Sequence, residues 1–170
     1  MQDKQKFFPW ILSGIAAFMF ISFFLPIVQY SESMLGVTMK ATMSPLNILM
    51  DKVKMSAAGS SETTKAGISA ASKFPAILFL LAVLAVAGLM VWYFLGGNKK
   101  LISLCVAGGS ALELICLFWM GFSIKIEGVK MKPNALLWIL VILVIGQGVV
   151  AFLNSQNEGG PAPAAPVQYS

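Results

Sequence analysis

The sequence contains no histidine and no arginine, and only 11% of its 170 residues are charged. Without histidine it lacks the commonest general base and metal ligand of proteins. Without arginine it cannot form bidentate clamps on phosphate or carboxylate groups, so nucleic-acid binding is not expected despite the net charge of +5. The chain also has no glycine-rich phosphate loop and no Ser-His-Asp set. We therefore expect a protein that is not an enzyme and that needs no cofactor or metal.

Cysteine is scarce as well, and its two copies, Cys105 and Cys116, lie in one apolar run. Eleven residues of helix separate them by about 16 Å, whereas a disulfide needs Cα atoms within about 7 Å. The two thiols therefore cannot form a bond within one chain.

What the sequence has in excess is apolar residues, which make up 58% of it and give a mean hydropathy of +0.81. A soluble domain has about a quarter of its residues charged, so this composition indicates a membrane protein. Crossing the bilayer takes about 20 apolar residues in a helix. Four runs meet that length, at residues 7–28, 74–95, 101–122 and 135–153. They predict an all-α transmembrane fold, a four-helix bundle.

The first run could instead be a signal peptide, because Lys4 and Lys6 precede it. It is longer than a typical signal-peptide core of about 7–15 residues, and no cleavage site follows Val28. We therefore interpret it as an uncleaved first span.

The connections between the runs set the topology. With four spans, both tails lie on one side, and the loops 29–73 and 123–134 share the other side. Lys4, Lys6, Lys99 and Lys100 next to the membrane favour cytoplasmic tails and external loops. The total lysine count favours the reverse, because the two loops hold eight of the twelve lysines. We predict a multi-pass protein with its tails in the cytoplasm and its loops outside.

Both loops contain residues that alternate between apolar and polar, which is the period of a strand with one covered face. The pentapeptides GVTMK, at 36–40, and GVKMK, at 128–132, each follow a predicted turn. We expect two hairpins that pair edge to edge as a four-stranded antiparallel cap over the helix ends. An internal duplication and a chance recurrence both remain open as origins of the repeat. The predicted interaction surface comprises Val37, Met39, Met43, Ile124, Ile126, Val129 and Met131.

The rest of the long loop divides into a helix and a connector. Ser44 and Pro45 are typical of a helix start. Leu46, Leu49, Met50 and Val53 then follow at helical spacing, which predicts an amphipathic surface helix over residues 45–55. Residues 56–72 are rich in Ser, Ala, Gly and Thr and predict a flexible connector. The membrane domain then covers residues 1–153, and a disordered Pro/Ala-rich tail covers 154–170.

One acid, Glu113, lies inside an apolar run. A carboxylate at this depth costs about 2.5–3.5 kcal/mol on insertion scales, so it should face protein or water. We expect Gln147 of the fourth run to be its partner. The pair predicts either a proton- or cation-linked site or a hydrogen bond that holds two helices together. Small residues flank the pair and should let the helices approach closely, namely Gly108, Gly109, Gly146 and Gly148.

The whole arrangement resembles the four-span plan of claudins, in which a large first loop and a short second loop share one sheet. The likeness is one of topology alone, because the loop 29–73 has neither the tryptophan nor the cysteines of the claudin motif. We expect a non-catalytic interaction or accessory subunit that works through its loops. Its partners would be the lipid bilayer and other membrane proteins or further copies of itself. The alternative is a channel or transporter subunit that uses Glu113.

Overall fold

The computed structural model describes residues 2–34, 37–57, 59–126 and 129–157, and most of them are helical. The four long helices are α1 (Gln2–Ser22), α3 (Ala70–Phe94), α4 (Lys99–Ser123) and α5 (Ala135–Asn157), and a single short turn forms α2 (Pro45–Leu49). Among the described residues, three helices, α3 to α5, are long and apolar enough to cross a membrane. The apolar part of α1, Phe7–Ser22, is shorter.

Polar caps and glycines define where the long helices begin and end. Ser69 and Asn98 cap α3 and α4, each accepting a hydrogen bond from a backbone N–H three residues later. The Asn134 side chain does the same for α5 through the N–H of Leu137. Between α3 and α4, Gly96 has a φ of 93°, which favours glycine, and its backbone closes a tight turn. This turn makes α3 and α4 an antiparallel pair.

The first helix is shorter at its end than the apolar run predicts. It stops at Ser22 rather than Val28, and the chain turns through residues 23–25 before a strand starts at Val28. Pro26 accounts for the difference, because proline has no backbone N–H and disfavours a helical conformation in the residue before it.

The two loops share a sheet, as expected, but the predicted four-stranded cap, in which two hairpins pair edge to edge, is wrong. The shared sheet has five strands, and four of them come from the long loop. Its strands are β1 (Val28–Met34), β2 (Val37–Met43), β3 (Lys52–Ala57), β4 (Ser60–Lys65) and β7 (Lys132–Pro133), in the order β4-β3-β2-β1-β7. The second hairpin, β5 (Lys125–Ile126) with β6 (Val129–Lys130), is a separate two-stranded unit. Only the two residues of β7, just after this hairpin, pair with β1. Both predicted turn glycines, Gly36 and Gly128, lie outside the described residues.

The predicted surface helix over 45–55 and the predicted connector over 56–72 are both wrong. The helix ends at Leu49, Asp51 takes a φ of 58°, and the chain continues as the antiparallel hairpin β3–β4. Val53 fitted the helical spacing, yet its buried side chain belongs to a strand. From Ala70 onward the connector is already part of α3. The predicted disordered tail begins too early, because 154–157 belong to α5, and the rest of it lies outside the described residues.

Packing between the helices follows a regular spacing. The helix α4 packs against α3 and α5, and α1 also packs against α3 and α5, so the four form a ring. Buried residues recur at alternate steps of three and four, the spacing of a left-handed bundle. In α4 they are Ser103, Val106, Ser110, Glu113, Leu117 and Met120, and in α5 Leu137, Leu140, Val144, Gln147, Ala151 and Asn154.

The sheet is joined to one end of this ring by a common core. Val28, Met43 and Val53, at the base of the sheet, are fully buried in the same cluster as Phe23 and Met120 of the helical part. The sheet is therefore anchored on the ends of the helices, and its strands extend away from them.

Candidate functional site

The helical interior contains a polar pair at Glu113 and Gln147. Both side chains are fully buried, and the Gln147 Nε2 donates a hydrogen bond of 3.4 Å to the Glu113 Oε2. Glu113 on α4 and Gln147 on α5 meet because each belongs to the row of buried positions that recurs every three or four residues along its helix. The structure thus places the two sequence-predicted residues next to each other.

The pair leaves two buried oxygen atoms without a partner. Among the described residues, neither Glu113 Oε1 nor Gln147 Oε1 has a hydrogen bond. Two acceptors cannot satisfy each other, but a proton on Glu113 Oε1 would convert it into a donor. The acid and the amide could then exchange two hydrogen bonds. Chemically the pair can therefore hold a proton within the bundle, or accept a cation or water between the two free oxygens.

A second buried polar group, which the sequence analysis missed, lies nearer the α3–α4 turn. The Asn154 Nδ2 donates to Ser103 Oγ at 2.8 Å and to the Tyr93 hydroxyl at 3.4 Å. Asn154 was assigned to the tail, although it continues the spacing of three and four that runs through Gln147 and Ala151. Extending that spacing by one step would have found it.

The four glycines near the polar pair divide into two kinds. A Cβ on Gly109 would lie 2.7 Å from the Val86 Cγ2 of α3, and one on Gly148 would lie 3.4 Å from the Ser110 Cβ. These two glycines stand at helix contacts. Gly108 and Gly146 do not, because a Cβ on either would meet no atom within 4 Å. The close approach expected at Gly108 and Gly146 is therefore wrong, since both point away from the neighbouring helices.

The sheet has one apolar face, and the pairing register defines it. Met39 pairs with Glu32 and Ala57, and Ala41 pairs with Tyr30 and Met55, so these side chains share a face. Met43 and Val53 continue it into the core. Burial falls with distance from the helices: Met43 is fully buried, Ala41 is half-buried, and Met39 is 62% exposed.

The predicted interaction surface is thus only partly at the surface. Val37 and Met39 are exposed, whereas Met43, Ile124 and Met131 are buried beneath the sheet and cannot meet a partner. Ile126 and Val129 pair with each other in the second hairpin, and their side chains lie outside the described residues. Of the predicted surface helix, Met50 is exposed, Leu46 and Leu49 pack against the core, and Val53 is buried.

Two residues missed by the sequence analysis belong to the exposed apolar face, Tyr30 and Met55. The Tyr30 hydroxyl donates a hydrogen bond of 2.9 Å to the Glu32 carboxylate, and this bond raises the pKa of Tyr30. Met55 is 46% exposed on β3. The alternation of Val53 and Met55 with lysines would have revealed this strand, had the helical spacing not been preferred.

Exposed aromatic side chains collect at both ends of the helices. At the sheet end, Trp119 contacts Phe74, and Trp138 contacts Phe118 and Phe122. At the opposite end, Trp10 of α1 contacts Phe94 of α3 with ring centroids 5.4 Å apart. Tryptophan and tyrosine concentrate at the two boundaries of a bilayer, and the tryptophans of these clusters lie at the two ends of the helices. Within the described ranges, no three His, Cys, Asp or Glu side chains come together as a possible metal site.

No known protein family, curated protein or solved structure matches this chain. The three long apolar helices are compatible with a membrane protein.

Proposed function

We propose that this protein is a four-span integral membrane protein that acts as a non-catalytic interaction subunit through the exposed part of its sheet. Of the four proposed spans, α1 has the shortest apolar part, Phe7–Ser22. Its Trp10 joins one aromatic cluster, and its Phe20 and the following Phe24 stand exposed near the other end. Tryptophan suits the boundary between hydrocarbon and head groups, and exposed phenylalanine rings suit the hydrocarbon itself, so this surface of α1 favours a position in the bilayer. A sheet shared by both loops is also what the claudin-type plan expects.

The observation that carries the interaction role is the apolar face of the sheet. It continues without a polar break from buried Met43 and Val53 to exposed Met39, Met55 and Val37. Hydrophobic side chains exposed together, and rimmed by Glu32 and Glu62, are typical of a protein contact surface. The opposite face carries hydroxyl and lysine side chains and has no such patch.

Site-specific photo-crosslinking tests this role. A benzoylphenylalanine at Met39 in native membranes should form a discrete adduct, whereas the same group at Thr38, the adjacent residue on the opposite face, should not. The change Met55→Lys should abolish the adduct from position 39, because it places a charge in the contact. An adduct of twice the monomer mass would identify a second copy as the partner. Equal adducts from positions 38 and 39, or none from either, would contradict the proposal.

We further propose that the tails face the cytoplasm and that the sheet lies outside. Lys99 and Lys100 lie at the start of α4, in a short turn that carries no acid, and such turns are retained in the cytoplasm.

The second candidate function, a channel or transporter subunit, is favoured by one observation, the two unpartnered oxygens of Glu113 and Gln147. Flux in reconstituted liposomes tests it. If Glu113 carries a proton or cation, Glu113→Gln should abolish flux while the surface control Glu62→Gln leaves it unchanged. Flux that survives Glu113→Gln would eliminate the transport role and leave the pair as a contact between helices.

A further inference from the structure

A cleft opens between the polar face of the sheet and the end of α1. It has a volume of about 320 Å³, and its walls come from the sheet, from α2 and from the turn after α1. The residues that line it are Phe24, Pro26, Lys40, Thr42, Ser44, Asn47, Lys54 and Ser56. Two lysines, four hydroxyl or amide side chains and one exposed aromatic ring therefore surround one space, and none of the described residues that line it is acidic.

The charges of the sheet are segregated by face. Lys40 pairs with Ser56, and Thr42 pairs with Lys54, so the two lysines are diagonal neighbours on adjacent strands of one face. Both acids of the described strands, Glu32 and Glu62, lie on the other face. Diagonal neighbours on a sheet lie about 7–8 Å apart, close enough for long side chains to reach one shared ligand. In the part of the chain that the structure describes, neither Lys40 nor Lys54 forms an ion pair, so the face is complementary to an anion.

A separate apolar groove runs along the outside of the helices, and its end at Phe20 and Ile21 is the one nearer the cleft. It has a volume of about 410 Å³ and lies between α1 and α3. Its walls include Ala17, Phe20 and Ile21 on α1 and Ala87, Val91 and Phe94 on α3. The groove and the cleft share no lining residue, but Phe20 in the groove and Phe24 in the cleft are four residues apart in sequence, with ring centroids 6.0 Å apart. One end of the groove therefore lies about one helical turn from the cleft.

We propose that the cleft and the groove together bind one anionic phospholipid. The phosphate would lie between Lys40 and Lys54, with Thr42 and Ser56 as hydrogen-bond donors, and one acyl chain would follow α1 along Phe20 and Ala17. Ala17 to Phe24 spans about 10 Å of rise, which matches a substantial part of an acyl chain. The inference rests on the proposed function in one respect, that α1 lies in the bilayer.

Native mass spectrometry of the full chain in detergent tests this site. The chain is titrated with dipalmitoyl phosphatidylglycerol and, separately, with dipalmitoyl phosphatidylcholine, which has the same acyl chains but no net charge. We expect phosphatidylglycerol to bind about tenfold more tightly, because each lysine near an anionic head group contributes to affinity. The double change Lys40→Gln/Lys54→Gln should remove this preference and leave phosphatidylcholine binding unchanged.

The control variant is Lys125→Gln/Lys130→Gln. These lysines also face each other across two strands, in the separate hairpin, and their removal changes the net charge by the same amount. It should leave the preference intact. If both double variants lose the preference for phosphatidylglycerol equally, total charge governs binding and the proposed site is wrong. Equal binding of the two lipids by the unaltered chain would also contradict it.

Two further measurements separate a lipid from a free anion. Ala17 is exposed in the groove, so the change Ala17→Trp should fill the groove and weaken the binding of both lipids. Inorganic phosphate should not displace phosphatidylglycerol; if it does so at comparable concentration while Ala17→Trp has no effect, the cleft is an anion site and the lipid proposal is wrong. The readout is independent of crosslinking at Met39, so failure of the interaction role would leave this result standing.

Discussion

At the scale of single residues, the Glu113–Gln147 contact should be worth about 1 kcal/mol, as polar contacts between membrane helices usually are. The changes Glu113→Leu and Gln147→Leu each leave the other polar side chain buried without its partner. In the double variant no polar group remains, so its loss of stability should be smaller than the sum of the two single losses. Unfolding in detergent measures all four proteins. Strict additivity would show that the two side chains do not interact.

Asp51 predicts a dependence of stability on pH. Its Oδ1 accepts a hydrogen bond of 2.6 Å from the Ile68 N–H, and its Oδ2 lies 3.5 Å from the Lys73 Nζ. These contacts, the backbone bond foremost, lower the pKa of Asp51 below its usual 3.8. A carboxylate with a lowered folded-state pKa stabilises the fold above the unfolded pKa, and this stability disappears as the pH falls through the folded value.

The unaltered chain should therefore lose thermal stability below about pH 4 by an amount that Asp51→Asn does not show. Asparagine tolerates the positive φ of this position and can still accept the bond from Ile68, but it does not titrate in this range. The unfolding temperature of both proteins between pH 3 and pH 7 is the measurement. Parallel pH profiles would contradict the assignment.

Some of these residues could be predicted from the sequence and others could not. Glu113 was identifiable because an acid in an apolar run is costly and needs a partner. Asp51 was not, because its role depends on an N–H seventeen residues away that only the folded chain brings near. The sequence also could not show that Gly109 contacts a neighbouring helix and Gly108 does not, because this depends on the direction in which each residue faces.

At the scale of elements, Gly109 and Gly108 give a direct test of the α3–α4 contact. The change Gly109→Leu forces a side chain against Val86 and should destabilise the protein by about 1–3 kcal/mol, the usual effect of overpacking. Gly108→Leu adds the same side chain where no atom lies within 4 Å and should have little effect. Detergent unfolding of the two variants measures the difference, and equal losses would show that the helices pack by another face.

The helices were predictable as elements because length and hydropathy alone predict them. Their ends were less predictable: Pro26 ends α1 early, polar caps start α3 and α4 before their apolar runs, and α5 continues to Asn157. The hairpin β3–β4 was missed for a physical reason. Over 46–53, apolar residues satisfy helical spacing, and a short run cannot distinguish a helical turn followed by a strand from one longer helix. Thr63 and Thr64, which favour strands, were the remaining signal for β4.

At the scale of the whole molecule, the shared sheet was predictable because four apolar runs, interpreted as four spans, predict that both loops lie on one side. Its strand order was not, because β7 is only two residues long and pairs through Val28 and Gln29. The apolar face and the lysine face likewise appear only when the register is known. The apolar face is the proposed protein contact surface, and the lysine face is the proposed site for the lipid head group.

Cysteine labelling in sealed membranes shows whether four helices cross the bilayer with both loops on the same side. Cys105 and Cys116 are first replaced by alanine, and single cysteines are placed at Gln5, Thr38, Lys100 and Lys130. We expect a membrane-impermeant maleimide to label positions 38 and 130 from one side and positions 5 and 100 only from the other. Labelling of positions 5 and 38 from the same side would show that α1 does not cross, and labelling of 38 and 130 from opposite sides would contradict the shared sheet.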